Sequence, residues 1–185
     1  MNWACLLAVV VSAPAPSAGD TVRQVERALK AAVQPGAPAE ALRAAVADTV
    51  DFPELARRGM GPAWTSMGPQ DQSRLVDLLR RIMEANYLTK LRKAPAWSCE
   101  VTATRRVAGA DIVTLTTTAQ GRRIAVELHL TERAGRWRVH DAFLGGVGMV
   151  DGWAEQFARL LQKGGLPALF AALEAKARTP DGAAK

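Results

Sequence analysis

The sequence predicts an α+β domain: a curved four-stranded antiparallel meander covered on one face by N- and C-terminal helices, with an apolar cavity between. Three observations predict it. Apolar residues recur at three- and four-residue steps as far as residue 91. From Trp97 the period falls to about 2, in four alternating segments joined by short turns that contain glycine. Beyond Gly145-Gly146 the helical period returns. Helical blocks on either side of a meander, instead of interleaved with strands, give α+β and not α/β. The 185 residues, 49% hydrophobic and 23% charged, suit one globular domain.

Residues 1–19 stand apart. They carry no charge, and an apolar stretch over 4–11 leads into the small, proline-rich 12–19. This is the shape of a secretory leader with a cut near Ala18 or Gly19, although no Lys or Arg precedes the apolar stretch. The expected organisation is a leader at 1–19, one domain at 20–176 and a tail at 177–185. Cys5 lies too early to be a lipid-anchored cysteine. After removal of the leader, Cys99 is the single thiol and the net charge stays at +6. Export without an internal disulfide fits a periplasm. The longest apolar run, Trp3 to Val11, is far short of the ~20 residues of a bilayer-crossing helix.

In the domain, Val22, Val25, Leu29 and Val33 predict a helix that Gln34-Pro35-Gly36 ends. Leu42 and Val46 mark a second over 39–50. Asp51 precedes a short segment, 52–60, closed by Gly61-Pro62. Pro69 then opens the strongest helix, carrying Leu75, Leu78, Leu79, Ile82, Met83, Tyr87 and Leu91 until Pro95 stops it. The strands follow. Val101, Ala103 and Val107 alternate with polar residues; Ile112–Thr118 comes next. Ile124, Val126, Leu128 and Leu130 face one way in the third strand. Trp137, Val139 and Phe143 share a side of the fourth, opposite Arg136, Arg138 and His140. One sheet face is expected to be apolar and the other wet. Met149, Val150, Trp153, Phe157, Leu160 and Leu161 form the next helical stripe, ended at Lys163-Gly164, and Pro167 begins a last helix.

The chemical inventory is poor in catalytic signals. Ser66, Ser73 and Ser98 sit in no Gly-x-Ser-x-Gly elbow. His129 and His140 fall on polar strand sides, without Cys or carboxylate spaced to join them on a metal, and read as solvated. Gly145, Gly146 and Gly148 resemble a phosphate loop, but the third glycine of that motif would be Asp151 and the strand belongs to a hairpin. Asp141 has the parity of Trp137 and Val139. It is either an acid or base on the apolar side or an acceptor for backbone amides of the Gly145–Gly148 turn. The arginine pairs are scattered, which speaks against nucleic acid and for solubility or attraction to anionic membranes or acidic partners.

Taken together, these residues resemble a known family. Val50-Asp51-Phe52-Pro-Glu-Leu-Ala-Arg-Arg, Gly61-Pro-Ala-Trp64, Pro69-Gln-Asp-Gln and the helix through Tyr87 resemble the opening of the MlaC-like toluene-tolerance family. Gly135-Arg-Trp137-Arg-Val-His-Asp141, Gly146-Val147, Gln156-Phe157 and Lys163-x-Gly165-Leu166 resemble its closing motif. Departures cluster at one turn: His140 for an aromatic, Gly145 for an acid, Gly148 for a serine, and Trp153 for a tyrosine.

The resemblance implies a periplasmic carrier that holds a phospholipid with its tails inside. It would pass lipid between an outer-membrane lipoprotein complex and an inner-membrane ABC transporter assembly with MCE-type domains, as part of outer-membrane lipid asymmetry. A sister branch is hopanoid-associated. A monomer without cofactor, metal or catalytic residues is expected. Two acyl chains of roughly 16 carbons lose on the order of 25 kcal/mol in bare water, so a carrier must offer a dry cavity. Its walls are expected to be Ile124, Val126, Leu128, Val139 and Phe143 from the sheet, with Leu79, Met83, Tyr87, Val147, Val150 and Phe157 opposite. Two alternatives stay open. One is a cavity enzyme of the ketosteroid-isomerase kind, with Asp141 as base and Tyr87 as oxyanion donor; the other is an interaction module with a solid core.

Overall fold

The computed structural model describes residues 16–32, 34, 37–93, 97–119 and 121–178. The apolar part of the leader, the helix stops at Pro35-Gly36 and Pro95, and the tail from 179 onward lie outside the described residues. In chain order the elements are α1 (Ala18–Ala32), α2 (Ala39–Ala47), α3 (Phe52–Met60), a 3-10 turn (Gly61–Ser66), α4 (Pro69–Lys93), β1 (Trp97–Val107), β2 (Ala110–Ala119), β3 (Arg122–Arg133), β4 (Arg136–Leu144), β5 (Val147–Gly148) and α5 (Met149–Arg178). The sheet is antiparallel in the order β1-β2-β3-β4-β5. The expected meander is therefore present, with the two-residue β5 added at its edge.

Local chemistry explains most boundaries. Ser17 and Asp20 cap α1 reciprocally: the Asp20 amide donates to Ser17 Oγ at 3.1 Å and the Ser17 amide donates to Asp20 Oδ2 at 3.3 Å. Ala18 and Gly19 are buried, and the Trp137 indole N–H donates to the Pro16 carbonyl at 2.9 Å. The folded unit thus includes Pro16–Gly19. Asp51 caps α3 by accepting from the Glu54 amide at 3.1 Å. Both α5 halves are present as expected, separated where Gly165 takes φ 63° ahead of Pro167.

Two β-bulges correct the simple alternation. In β1, Val101 pairs with Leu115 and Ala103 with Thr114, so Thr102 is an extra residue. Beyond it Thr104 and Arg106 turn toward α1, and Val107 turns away and is 44% exposed. In β4, His129 pairs with Asp141 and Leu130 with Val139, so His140 is extra. Asp141 and Phe143 consequently lie on the face opposite Trp137 and Val139, not beside them. His140, expected in solvent, is 3% exposed.

The core has three parts. Ala18 and Val22 of α1 close over Val113, Leu115, Leu130, Trp137 and Val139 of the sheet. Leu75, Leu79, Phe157, Leu169 and Phe170 fill the helical layer of α3, α4 and α5. Val46, Phe52, Leu55, Met83 and Val150 join the two. The link between α2 and α3 lies along the free edge of β4, the Val139 amide donating to the Thr49 carbonyl and the Asp51 amide to the Val139 carbonyl, each at 2.8 Å. That pairing masks an edge that would otherwise be open.

Candidate functional site

Cross-strand partners share a face of the sheet, so the register defines a site directly. Val126 pairs with Leu144, and Leu144 with Val147, which makes an apolar row across β3, β4 and β5. Ile124 and Leu128 flank Val126 on the same side of β3. At one end this face is sealed by α1. At the other it is bare: Ile124 is 45%, Leu144 53% and Val147 70% exposed.

The expected wall residues divide among these regions. Val126 and Leu128 are half-buried against the α1-covered cluster, and Val139 lies within it. Met83 and Val150 meet in the joining cluster, whereas Leu79 and Phe157 are packed inside the helical layer. Ile124 and Val147 lie at the bare end. Phe143 is on the other face, stacked on His129 at 4.6 Å. The Tyr87 side chain lies outside the described residues. Two grooves of about 470 and 420 Å3 are lined by other residues. The first lies between α1, α2 and the β3–β4 turn, at Val25, Ala28, Ala44 and Trp137; the second lies between α3 and α4, at Pro53, Trp64 and Val76.

The second face carries polar groups that sequence reasoning missed or misplaced. Asp141 Oδ1 accepts from the amides of Ala142 at 2.8 Å and Val150 at 3.2 Å, which places the first turn of α5 against β4. Asp141 is thus an amide acceptor, but for Ala142 and Val150 and not for the Gly145–Gly148 turn that the sequence suggested. Both ring nitrogens of His140 are buried with no hydrogen-bond partner among the described residues. Burial foremost, then Arg58 and His129 nearby, hold its pKa below the usual value. Glu84 of α4 is also buried, 3.9 Å from Arg43 and 4.0 Å from Arg80, and burial raises its pKa. Its sequence position on the polar stripe of α4, whose Asp77, Arg80 and Arg81 are about half exposed, gave no sign of this. Among the described residues no group of His, Cys, Asp or Glu could hold a metal ion, and no helix is long and apolar enough to cross a membrane.

The family model described as MlaC protein matches residues 19–175. The chain belongs to the MlaC family. A solved structure of similar fold is that of the phospholipid-binding protein from Ralstonia solanacearum in complex with a phospholipid. Its TM-score is 0.79 at 19% sequence identity, covering 89% of this chain and 98% of that one. No curated protein matches. The fold also explains some departures from the MlaC closing motif. A Cβ at Gly148 would meet Asp151 Oδ2 at 2.8 Å and the Phe143 ring at 3.0 Å, so a serine there would require both side chains to shift. His140 is the bulge residue, and Gly145 takes φ 58° in the turn that follows β4.

Proposed function

We propose that the protein is a lipid carrier of the MlaC kind that binds a phospholipid by its acyl tails and performs no chemistry on it. The observation that carries the reading is the apolar sheet face, sealed by α1 at one end and bare at the other. Burying a tail there removes apolar surface of both partners from water at about 25 cal/mol per Å². MlaC membership and the phospholipid-bound relative of similar fold support the same ligand.

Ile124, Val126 and Leu128 would meet a tail first, with Val139 deeper and Met83 and Val150 on the helical side. Val147 and Tyr87 would complete the walls, whereas Phe143 lies on the other face of the sheet and Leu79 and Phe157 are packed within the helical layer. In this reading the protein works in a periplasm and exchanges lipid with an outer-membrane lipoprotein complex and an inner-membrane ABC transporter assembly. Organic extraction of natively purified protein, followed by mass spectrometry and uptake of labelled phospholipid, tests it. About one lipid per chain is expected. Background lipid with no uptake would overturn the reading.

A further inference from the structure

We propose that the bare end of the sheet is a docking edge for an anionic bilayer surface. Three of the four large hydrophobic residues exposed among the described ones, Ile124, Leu144 and Val147, gather at this end on one face. They belong to three adjacent strands, so they form a patch and not scattered positions.

The surroundings of the patch are basic. Arg122 and Arg123 open β3 at the same end, exposed and without an ion pair among the described residues. Arg122 has the parity of Ile124 and Arg123 the opposite one, so positive charge flanks both sides of the β2–β3 tip. Residues 112–126 contain no Asp or Glu. The acids nearest in sequence to the Gly145–Gly146 turn are Asp141, buried on the opposite face, and Asp151, on the first turn of α5. Among the described residues, nothing lies within 4 Å of the Cβ positions of Gly121, Gly145 and Gly146.

Aliphatic side chains beside two exposed arginines that form no ion pair among the described residues match the boundary between headgroups and acyl chains of an anionic leaflet. A second copy of the chain fits less well. A two-fold pairing of this patch with itself would bring Arg122 and Arg123 of both copies together. The net charge of +6 favours approach to a negative surface. The inference goes beyond the carrier reading and does not depend on it, since a domain with a filled interior would dock equally well.

Co-sedimentation with vesicles of phosphatidylglycerol and phosphatidylcholine, against vesicles of phosphatidylcholine alone, tests it. The parent should bind the anionic vesicles at least 10-fold more tightly, and less tightly as salt rises. The double variant Arg122→Glu/Arg123→Glu and the single variant Leu144→Asp should each lose about 10-fold, with unchanged far-UV circular dichroism because the replaced side chains are exposed. Extracted lipid per chain, measured on the same preparations, should not change in the arginine variant. Equal binding to both vesicle types, equal binding by parent and variants, or patch-dependent capture of an acidic protein without vesicle binding would each overturn the proposal. Loss of extracted lipid from the parent would instead count against the carrier reading alone.

Discussion

His129 pairs with Asp141 across β3 and β4, yet one rung further Leu130 pairs with Val139, leaving His140 with no residue opposite it. The single inserted residue turns Asp141 toward α5, where its carboxylate gathers the Ala142 and Val150 amides. An acidic acceptor at a helix start satisfies an orphan N–H and opposes the helix dipole. Replacing Asp141 by Ala should cost about 1–3 kcal/mol, because buried amides lose their acceptor. Asp141→Asn should cost less. Urea unfolding checks both; an unchanged midpoint for Asp141→Ala would refute this role.

The buried His140 should make the protein acid-sensitive. Its folded pKa lies below the ordinary value, so the native state excludes a proton that the unfolded chain accepts near pH 6.5. Stability from the neutral ring is therefore complete above that pH and declines as pH falls below it. His140→Phe should flatten the melting temperature between pH 7.5 and pH 5. Glu54, held at about 2 chiefly by its hydrogen bond from Arg57, loses its contribution only between about 4.5 and 2. The two effects thus occupy separate windows. A parent whose stability does not change across pH 7.5 to 5 would contradict the account.

Both outer hairpins turn on Ala-Gly, and both alanines hold a left-handed backbone: Ala108 at φ 46° and Ala134 at φ 51°. Two-residue hairpins need that conformation to match strand twist, and asparagine adopts it more readily than alanine. Ala108→Asn and Ala134→Asn should each raise stability by about 0.5–1 kcal/mol, or roughly 2 to 3 °C in melting temperature for a chain of this size. Calorimetry of single and double variants decides it, with additive gains expected.

Pro16–Gly19 are built into the domain. A chain beginning at Asp20 loses the Ser17 cap, the buried Ala18 and the bond from Trp137 to Pro16. It should be less stable by about 1–3 kcal/mol than one beginning at Pro16. Equal denaturation midpoints would show these contacts to be idle. Where a leader is removed on export, the cut that preserves them lies before Pro16, and intact mass of the exported protein reads its position.

The sequence by itself determined the order and type of the elements. Helical blocks, meander and returning helices are all expressed in periodicity and in turn residues such as Gly164-Gly165 and Pro167, which act over a few neighbouring positions. It also determined which stripes are apolar, including Val126 and Leu128. Only the tertiary structure decided where alternation slips. The bulges at Thr102 and His140 carry no compositional mark, because an extra residue is set by how two strands fit under α1 and against α5. Each slip exchanges the faces of every residue beyond it, which put Val107 in solvent, Phe143 against His129, and Asp141 at the start of a helix. Burial of His140 and Glu84 was likewise settled by distant elements closing over locally polar positions, a long-range packing effect that short-range pattern does not encode.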